Sequence, residues 1–158
     1  MESRVLNHVE GAPEGRRYGF FEIFGMMTAV AIDSDYNQLT VRELGSYLVP
    51  ALDAGQYKVY LNNLGRPSAF VTWAFVDDEC HQILSESGIN PPPNRWRAGP
   101  NLWFMDIVAP FGDARTIVRD LQRNHFPDLR AHSIKRNADG SIKRVKVWKN
   151  LLATRPSL

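Results

Sequence analysis

The residue that invites chemistry is Asp106. It stands in the run Leu102–Val108, flanked by Trp103, Phe104, Met105, Ile107 and Val108, and such apolar runs build buried strands. A bare carboxylate is expensive to bury. It must be paired, protonated or turned toward a cleft. Two readings follow. Either the carboxylate is structural, tied to backbone amides or to an arginine such as Arg97 or Arg115, or it faces a cleft and acts there. The other titratable candidates are His8, His81, His125 and His132. They lack metal-ligand spacing, and the lone Cys80 supports no zinc site and reads as a passive helix residue. His8 reads as solvated, His81 as opening a helix, His125 as a capping residue at a helix end, and His132 as part of a closing hairpin.

The elements that must position Asp106 can be read from periodicity. The apolar stretch from Tyr18 to Ile32 is longer than a typical strand and predicts a helix. Thr40, with Glu43 three residues on, forms a capping-box signature for a second helix, whose Val41, Leu44, Leu48 and Leu52 recur at three and four. Pro50 is expected to end or kink it. "QYKVYLN" and "SAFVTWAFV" around "NLGRP" predict a hairpin, and "DDECHQILSESG" a helix with an acidic first turn. The three prolines of "INPPPNRWRAGP" preclude regular structure before the strand that holds Asp106. "ARTIVRDLQRNHF" predicts an amphipathic helix with Ile117, Val118 and Leu121 facing inward, and the Asp-Gly turn between "LRAHSIKR" and "SIKRVKVWKN" a final hairpin. The order α-α-β-β-α-β-α-β-β implies a single-domain α/β sandwich with a central, mostly antiparallel sheet flanked by helices. Residues 1–16 read as a flexible leader, 17–150 as the domain and 151–158 as a tail.

Bulk composition agrees with one globular domain. The chain has 158 residues, 44% hydrophobic and 23% charged, enough for a core without staples. One cysteine excludes an internal disulfide and fits a reducing compartment. No apolar run reaches membrane-span length and the N-terminus lacks a signal-peptide core, so a cytoplasmic location is expected. The net charge of +2 hides an asymmetry. Met1–Asp113 carries 8 Lys+Arg against 14 Asp+Glu, a net of −6, and Ala114–Leu158 carries 11 against 3, a net of +8. The basic end suits an acidic partner or is a solvated face.

"RPSAFVTWAF", "LWFMDIVAPFGD" and "FPD" together resemble the toxin-activating lysine acyltransferases, the haemolysin C-type activators of RTX toxins. In that family a strand of the type "PVAYCSWA" precedes a "WFIDWIAPFGD"-like segment, and the upstream "VPALDAGQYKVY" is similar to its "LPAIQANQYVLL". The resemblance spans about Phe24 to Asp128 and is most specific in D-x-x-A-P-F-G-D. It implies a GNAT-like fold and transfer of a fatty acyl group from acyl carrier protein to a lysine amine of a protein or peptide substrate. It also implies a catalytic aspartate at Asp106. The family pairs its aspartate with a histidine in a segment of the type "SSPLHRNWP". The corresponding stretch here is "IDSDYNQLT", where Tyr36 or Asn37 takes the histidine's place and Ser34 matches the family serine.

A lysine amine has a reference pKa of about 10.4 and must be neutral to attack a thioester. Asp106 would activate or orient it, and Tyr36, with a reference pKa near 10, would protonate the leaving thiolate. Phe70, Trp73 and Phe104 would line an apolar tunnel. No pyrophosphate loop of the conventional GNAT type is found, which favours acyl-phosphopantetheine on acyl carrier protein as donor, with no other bound cofactor and no metal. Arg115, Arg119 and Arg123, spaced by four, and Lys143, Arg144 and Lys146 on the last strand are candidate docking residues for that acidic partner. A homodimer is compatible with this reading. Because the histidine is missing, a non-catalytic binder of carrier protein or toxin is the first alternative. A basic nucleic-acid-binding domain is the second.

Overall fold

A computed structural model describes residues 8–137 and 139–150. The beginning of the leader and the tail over 151–158 lie outside the described residues. The elements are β1 (Val9–Glu10), α1 (Phe20–Ile32), α2 (Val41–Ala54), β2 (Tyr57–Leu61), β3 (Pro67–Val76), α3 (Asp78–Ser87), β4 (Asn101–Val108), α4 (Ala114–Asp120), β5 (Ala131–Arg136) and β6 (Ile142–Trp148). The six strands form one open sheet in the order β1-β2-β3-β4-β5-β6. Hairpins β2–β3 and β5–β6 are antiparallel and carry the longer registers, and the short pairings β1–β2 and β4–β5 are parallel. This mixed α/β arrangement is of the GNAT-like sandwich type.

Backbone contacts divide the described residues into two compact units, 8–72 with 106–117, and 73–105 with 118–137 and 139–150. In the first, α1 turns Ile23, Met27 and Val30 inward at helical spacing. They meet Leu48 and Leu52 of α2, Val59 of β2, Phe70 of β3 and Val108 of β4. Thr40 Oγ1 accepts from the Glu43 N–H at 3.1 Å while Glu43 Oε1 accepts from the Thr40 N–H at 3.0 Å, so the capping box starts α2 as read. Pro50 does not end this helix, which runs on to Ala54 and closes on Gly55 at φ 68°. Proline removes a bond to the carbonyl four residues back, that of Ser46. Ser46 is exposed, so water can satisfy its carbonyl, and the buried Pro50 ring contributes apolar packing.

The leader departs from expectation. His8 O accepts from the Val59 N–H at 2.8 Å and Val9–Glu10 pair with β2. Glu10 also meets Lys58 Nζ at 3.2 Å. Lys58 is buried although strand alternation puts it at a polar position, and a buried ammonium needs such a partner. His8 itself is half-buried and lies against the Tyr57 ring, 4.6 Å between centroids.

In the second unit, Trp73 and Phe75 pack edge-on against Phe126, at 5.3 and 5.9 Å. Gly99 approaches the backbone of Val76 and Asp77 so closely that a Cβ there would lie 2.4 Å from the Val76 carbonyl oxygen. α4 passes into a π turn at Leu121–His125, where the Phe126 N–H donates to Leu121 O. Ile117, Val118 and Leu121 are buried, as their spacing predicted.

His81, Trp103 and His132 form an aromatic cluster. Trp103 Nε1 donates to His81 Nδ1 at 3.0 Å, and the His132 ring stacks on Trp103 and stands edge-on to His81. His132 Nδ1 is buried without a hydrogen-bond partner among the described residues. Burial, then repulsion from His81, pushes the His132 pKa below its ordinary value. The unfolded chain therefore takes up this proton first. The neutral ring's contribution to stability is complete above about pH 6.5 and declines as the pH falls below it. The melting temperature should fall on acidification from about pH 7.5 to about pH 5, and His132→Gln should flatten that slope. An unchanged slope in the variant would rule out His132 as its source.

Candidate functional site

Asp106, Tyr36 and Thr72 lie together within the first unit. Asp106 is 6% exposed on β4, and Thr72 is fully buried on β3. Thr72 Oγ1 donates to Asp106 Oδ2 at 2.5 Å, and the Tyr36 hydroxyl donates to Asp106 Oδ1 in a short hydrogen bond. Both carboxylate oxygens thus accept from hydroxyls on separate elements. Two O–H donors suit an anionic carboxylate, which offers only acceptors.

Local sequence explains how Tyr36 arrives. α1 ends at Ile32 with Asp33 as its C-cap, and a 3₁₀ turn follows over Asp35–Gln38. Ser34 caps that turn, with its Oγ accepting from the Tyr36 N–H at 3.1 Å and donating to Ala31 O at 2.9 Å. Ser34 therefore orients the turn that carries the phenol. The Tyr36 ring lies between Tyr47 of α2 and Phe70 of β3, each 6.4 Å away between centroids. Asn37 is exposed. Its Nδ2 donates to Ile32 O at 3.2 Å and its Oδ1 accepts from Gln38. Of the two residues that could stand where the family carries histidine, the fold brings Tyr36 to the carboxylate and leaves Asn37 on the surface.

Phe70 and Trp73 are three apart on β3, so their side chains leave opposite faces of the sheet. Phe70 is on the face of Thr72, two residues away. Trp73 is on the other face, against Phe126. Phe104 is buried two residues before Asp106 on β4. Among the basic residues, Arg115, Arg119 and Arg123 are exposed, as are Lys143, Arg144 and Lys146. Strand alternation puts Lys143 on the face opposite Arg144 and Lys146. The Lys146 ammonium lies 3.8 Å from the Trp148 ring centroid, a cation–π contact. Arg97 and Arg115, the arginines considered as partners for Asp106, both have exposed side chains. His125 Nε2 meets Asp120 Oδ2 at 3.7 Å. No group of three or more His, Cys, Asp or Glu among the described residues could hold a metal ion.

Thr72 is the residue that the motif reading passed over. Its signal was present: a polar side chain in the middle of "SAFVTWAFV", the same anomaly that marks Asp106 in its own strand.

The RTX toxin acyltransferase family profile matches residues 16–149, most of the chain. The chain belongs to that family. Among its relatives, an uncharacterised protein of Synechocystis sp. is 33% identical over 105 residues, 65% of this chain and 71% of that protein. The lysine-acyltransferase RtxC of Vibrio cholerae is 33% identical over 91 residues, 58% of this chain and 60% of that protein. The RTX-I toxin-activating lysine-acyltransferase ApxIC of Actinobacillus pleuropneumoniae is 26% identical over 126 residues, 79% of this chain and 72% of that protein.

In a family of acyltransferases, a fully buried hydroxyl on Asp106 is open to a direct test. A hydrogen bond to a charged group contributes about 1.5–3 kcal/mol, so Thr72→Val should lower acyl-transfer kcat/KM about 10- to 100-fold. Thr72→Ser keeps the hydroxyl and should stay within a few-fold of the parent. Equal losses in the two variants, or none in Thr72→Val, would separate Thr72 from the chemistry. Melting curves of both would separate either result from misfolding.

Proposed function

We propose that this chain transfers a fatty acyl group from the phosphopantetheine thioester of an acyl carrier protein to a lysine amine of a protein or peptide substrate. The observation that supports it is the buried Asp106 carboxylate held by Tyr36 and Thr72 on a chain of this family.

The chemistry divides between the two titratable groups. The substrate ammonium must lose a proton before nitrogen can attack. Asp106 accepts a proton from the amine and orients its lone pair toward the thioester carbonyl. The new C–N bond forms as the carbonyl π bond opens, and the tetrahedral intermediate collapses with cleavage of the C–S bond. The departing thiolate takes the Tyr36 hydroxyl proton, and the phenolate recovers one from protonated Asp106 along their shared hydrogen bond. Two protons leave nitrogen in all, one passing to sulfur and one to solvent. The second reflects the reaction of an ammonium to give an amide and a neutral thiol.

The acidic carrier would meet exposed basic residues, for which Arg115, Arg119, Arg123 and the β6 residues Lys143 and Arg144 are the candidates. Lys146 is partly engaged by Trp148 and ranks behind them. No helix among the described residues is long and apolar enough to cross a membrane.

The deciding experiment is intact mass spectrometry of a lysine-containing protein substrate, such as an RTX-type protoxin, after incubation with the full chain and acyl-loaded carrier protein. A mass gain of one acyl group, lost in Asp106→Ala, is expected. Tyr36→Phe keeps the ring and removes the acid, and should reduce kcat by about 10²-fold or more, the usual scale of general acid catalysis. Stable carrier-protein binding without any mass gain would convert the reading to that of a non-catalytic binder.

A further inference from the structure

A cleft of about 350 Å³ opens beside the start of α1, and the chemistry above makes no use of it. His8, Arg16, Arg17, Tyr18, Ile23 and Tyr57 line it, all within the first unit. Its positive charge is only partly compensated. Arg16 Nη2 pairs with Glu22 Oε2 at 2.7 Å, and its guanidinium lies 4.6 Å from the Tyr18 ring centroid. Glu22 is further committed, through Oε1, to the Gly19 N–H. No carboxylate among the described residues pairs with Arg17, which is exposed on the cleft. α1 adds to the field. Its N-cap Gly19 has no side chain to cap the first turn, and Glu22 takes the Gly19 N–H, so the remaining first-turn N–H groups face solvent or a ligand. Half-burial raises the Tyr57 pKa, so its phenol stays a neutral O–H donor at the inner wall.

The strand register connects this cleft to the reacting carboxylate. Tyr57 of β2 is paired directly opposite Thr72 of β3, and opposed residues of an antiparallel pair share a face with neighbouring Cβ atoms. Thr72 is the residue whose hydroxyl holds Asp106. The cleft and the carboxylate therefore lie on one face of the sheet, with Tyr57 and Thr72 side by side between them. A ligand spanning both is extended, anionic at one end and reactive at the other. A phosphopantetheine thioester has that layout, with its phosphate at the end of the arm away from sulfur.

We propose that the cleft is the binding site for the phosphate of the donor's phosphopantetheine arm, with the Arg17 guanidinium as its pairing charge. The assignment rests on the acyl-thioester reading above. The same phosphate occurs in carrier-protein and coenzyme A thioesters, and the guanidinium, the first-turn N–H groups of α1 and the phenol would read the phosphate itself.

Binding of 4′-phosphopantetheine and of pantetheine to the full chain, measured by calorimetry, tests the site without requiring turnover. The phosphorylated compound should bind at least about 10-fold more tightly, the scale of one charge-assisted hydrogen bond. Arg17→Ala should abolish that preference, and Arg17→Lys should retain part of it. Equal affinity for the two compounds, or an undiminished preference in Arg17→Ala, overturns the site. Because this readout needs no reaction, absence of acyl transfer from any donor would sink the proposed activity and leave the phosphate site to be judged separately. Where transfer occurs, Arg17→Ala should raise KM for acyl-carrier protein and for acyl-coenzyme A alike. A rise confined to the carrier protein would place Arg17 on a protein–protein surface and overturn the phosphate assignment.

Discussion

A carboxylate buried at the centre of a sheet needs donors on both oxygens, and much of the first unit is arranged around meeting that need at Asp106. One donor comes from inside the sheet. Thr72 is fully buried, and a threonine hydroxyl there would itself be costly without an acceptor, so the two polar groups make each other tolerable. The other comes from a short turn that lies outside the sheet. Tyr36 reaches Asp106 because α1 stops at Ile32 and Ser34 caps a single 3₁₀ turn. Its ring is fixed between Tyr47 and Phe70, so the same packing that closes the core aims the phenol.

The kind of donor matters as much as its presence. Two other charged groups held out of full solvent, Lys58 and Asp77, meet opposite charges. Lys58 has Glu10, and Arg95 holds Asp77 at 2.5 Å together with Glu79. At Asp77, the Cys80 backbone N–H and then the Arg95 guanidinium keep the carboxyl below its ordinary pKa, which makes it a poor proton acceptor. The described donors to Asp106 are hydroxyls, which carry no net charge. A neutral donor satisfies a buried oxygen while leaving the group free to change protonation state, and a phenol can also hand its proton over.

How much of this was legible follows from the range over which each signal acts. The Thr40–Glu43 capping box, both hairpins and the inward face of Ile117, Val118 and Leu121 are local patterns, and they appear as read. Asp106 was visible as a local anomaly in its own strand. Its pairing with Thr72 spans 34 residues and with Tyr36 spans 70, and no periodicity encodes such distances. β1 is two residues long, below what a pattern can register, and it exists because β2 offers an edge and Lys58 requires a counter-charge. Pro50 carries a strong breaker rule, but its ring is buried in a helix whose two ends are well capped, and tertiary packing overrides the local preference. The opposite faces of Phe70 and Trp73, three apart on β3, were readable from strand parity alone.

If Tyr36 stands in for the histidine of the resembled family segment, as the proposed reaction has it, the division of labour changes. Imidazole titrates near neutrality and can take a proton in one step and return it in the next. A phenol with an ordinary pKa near 10 is protonated throughout that range, so it can donate but is unable to act as the resting base. The base of the proposed reaction would then be the Asp106 carboxylate. Asp106 is almost wholly buried, so its two hydroxyl partners take the place of water at its oxygens. Thr72 and Tyr36 are the two residues through which the fold holds that carboxylate, one as a fixed donor inside the sheet and one as the donor that, in the proposed reaction, would surrender its proton to the departing sulfur.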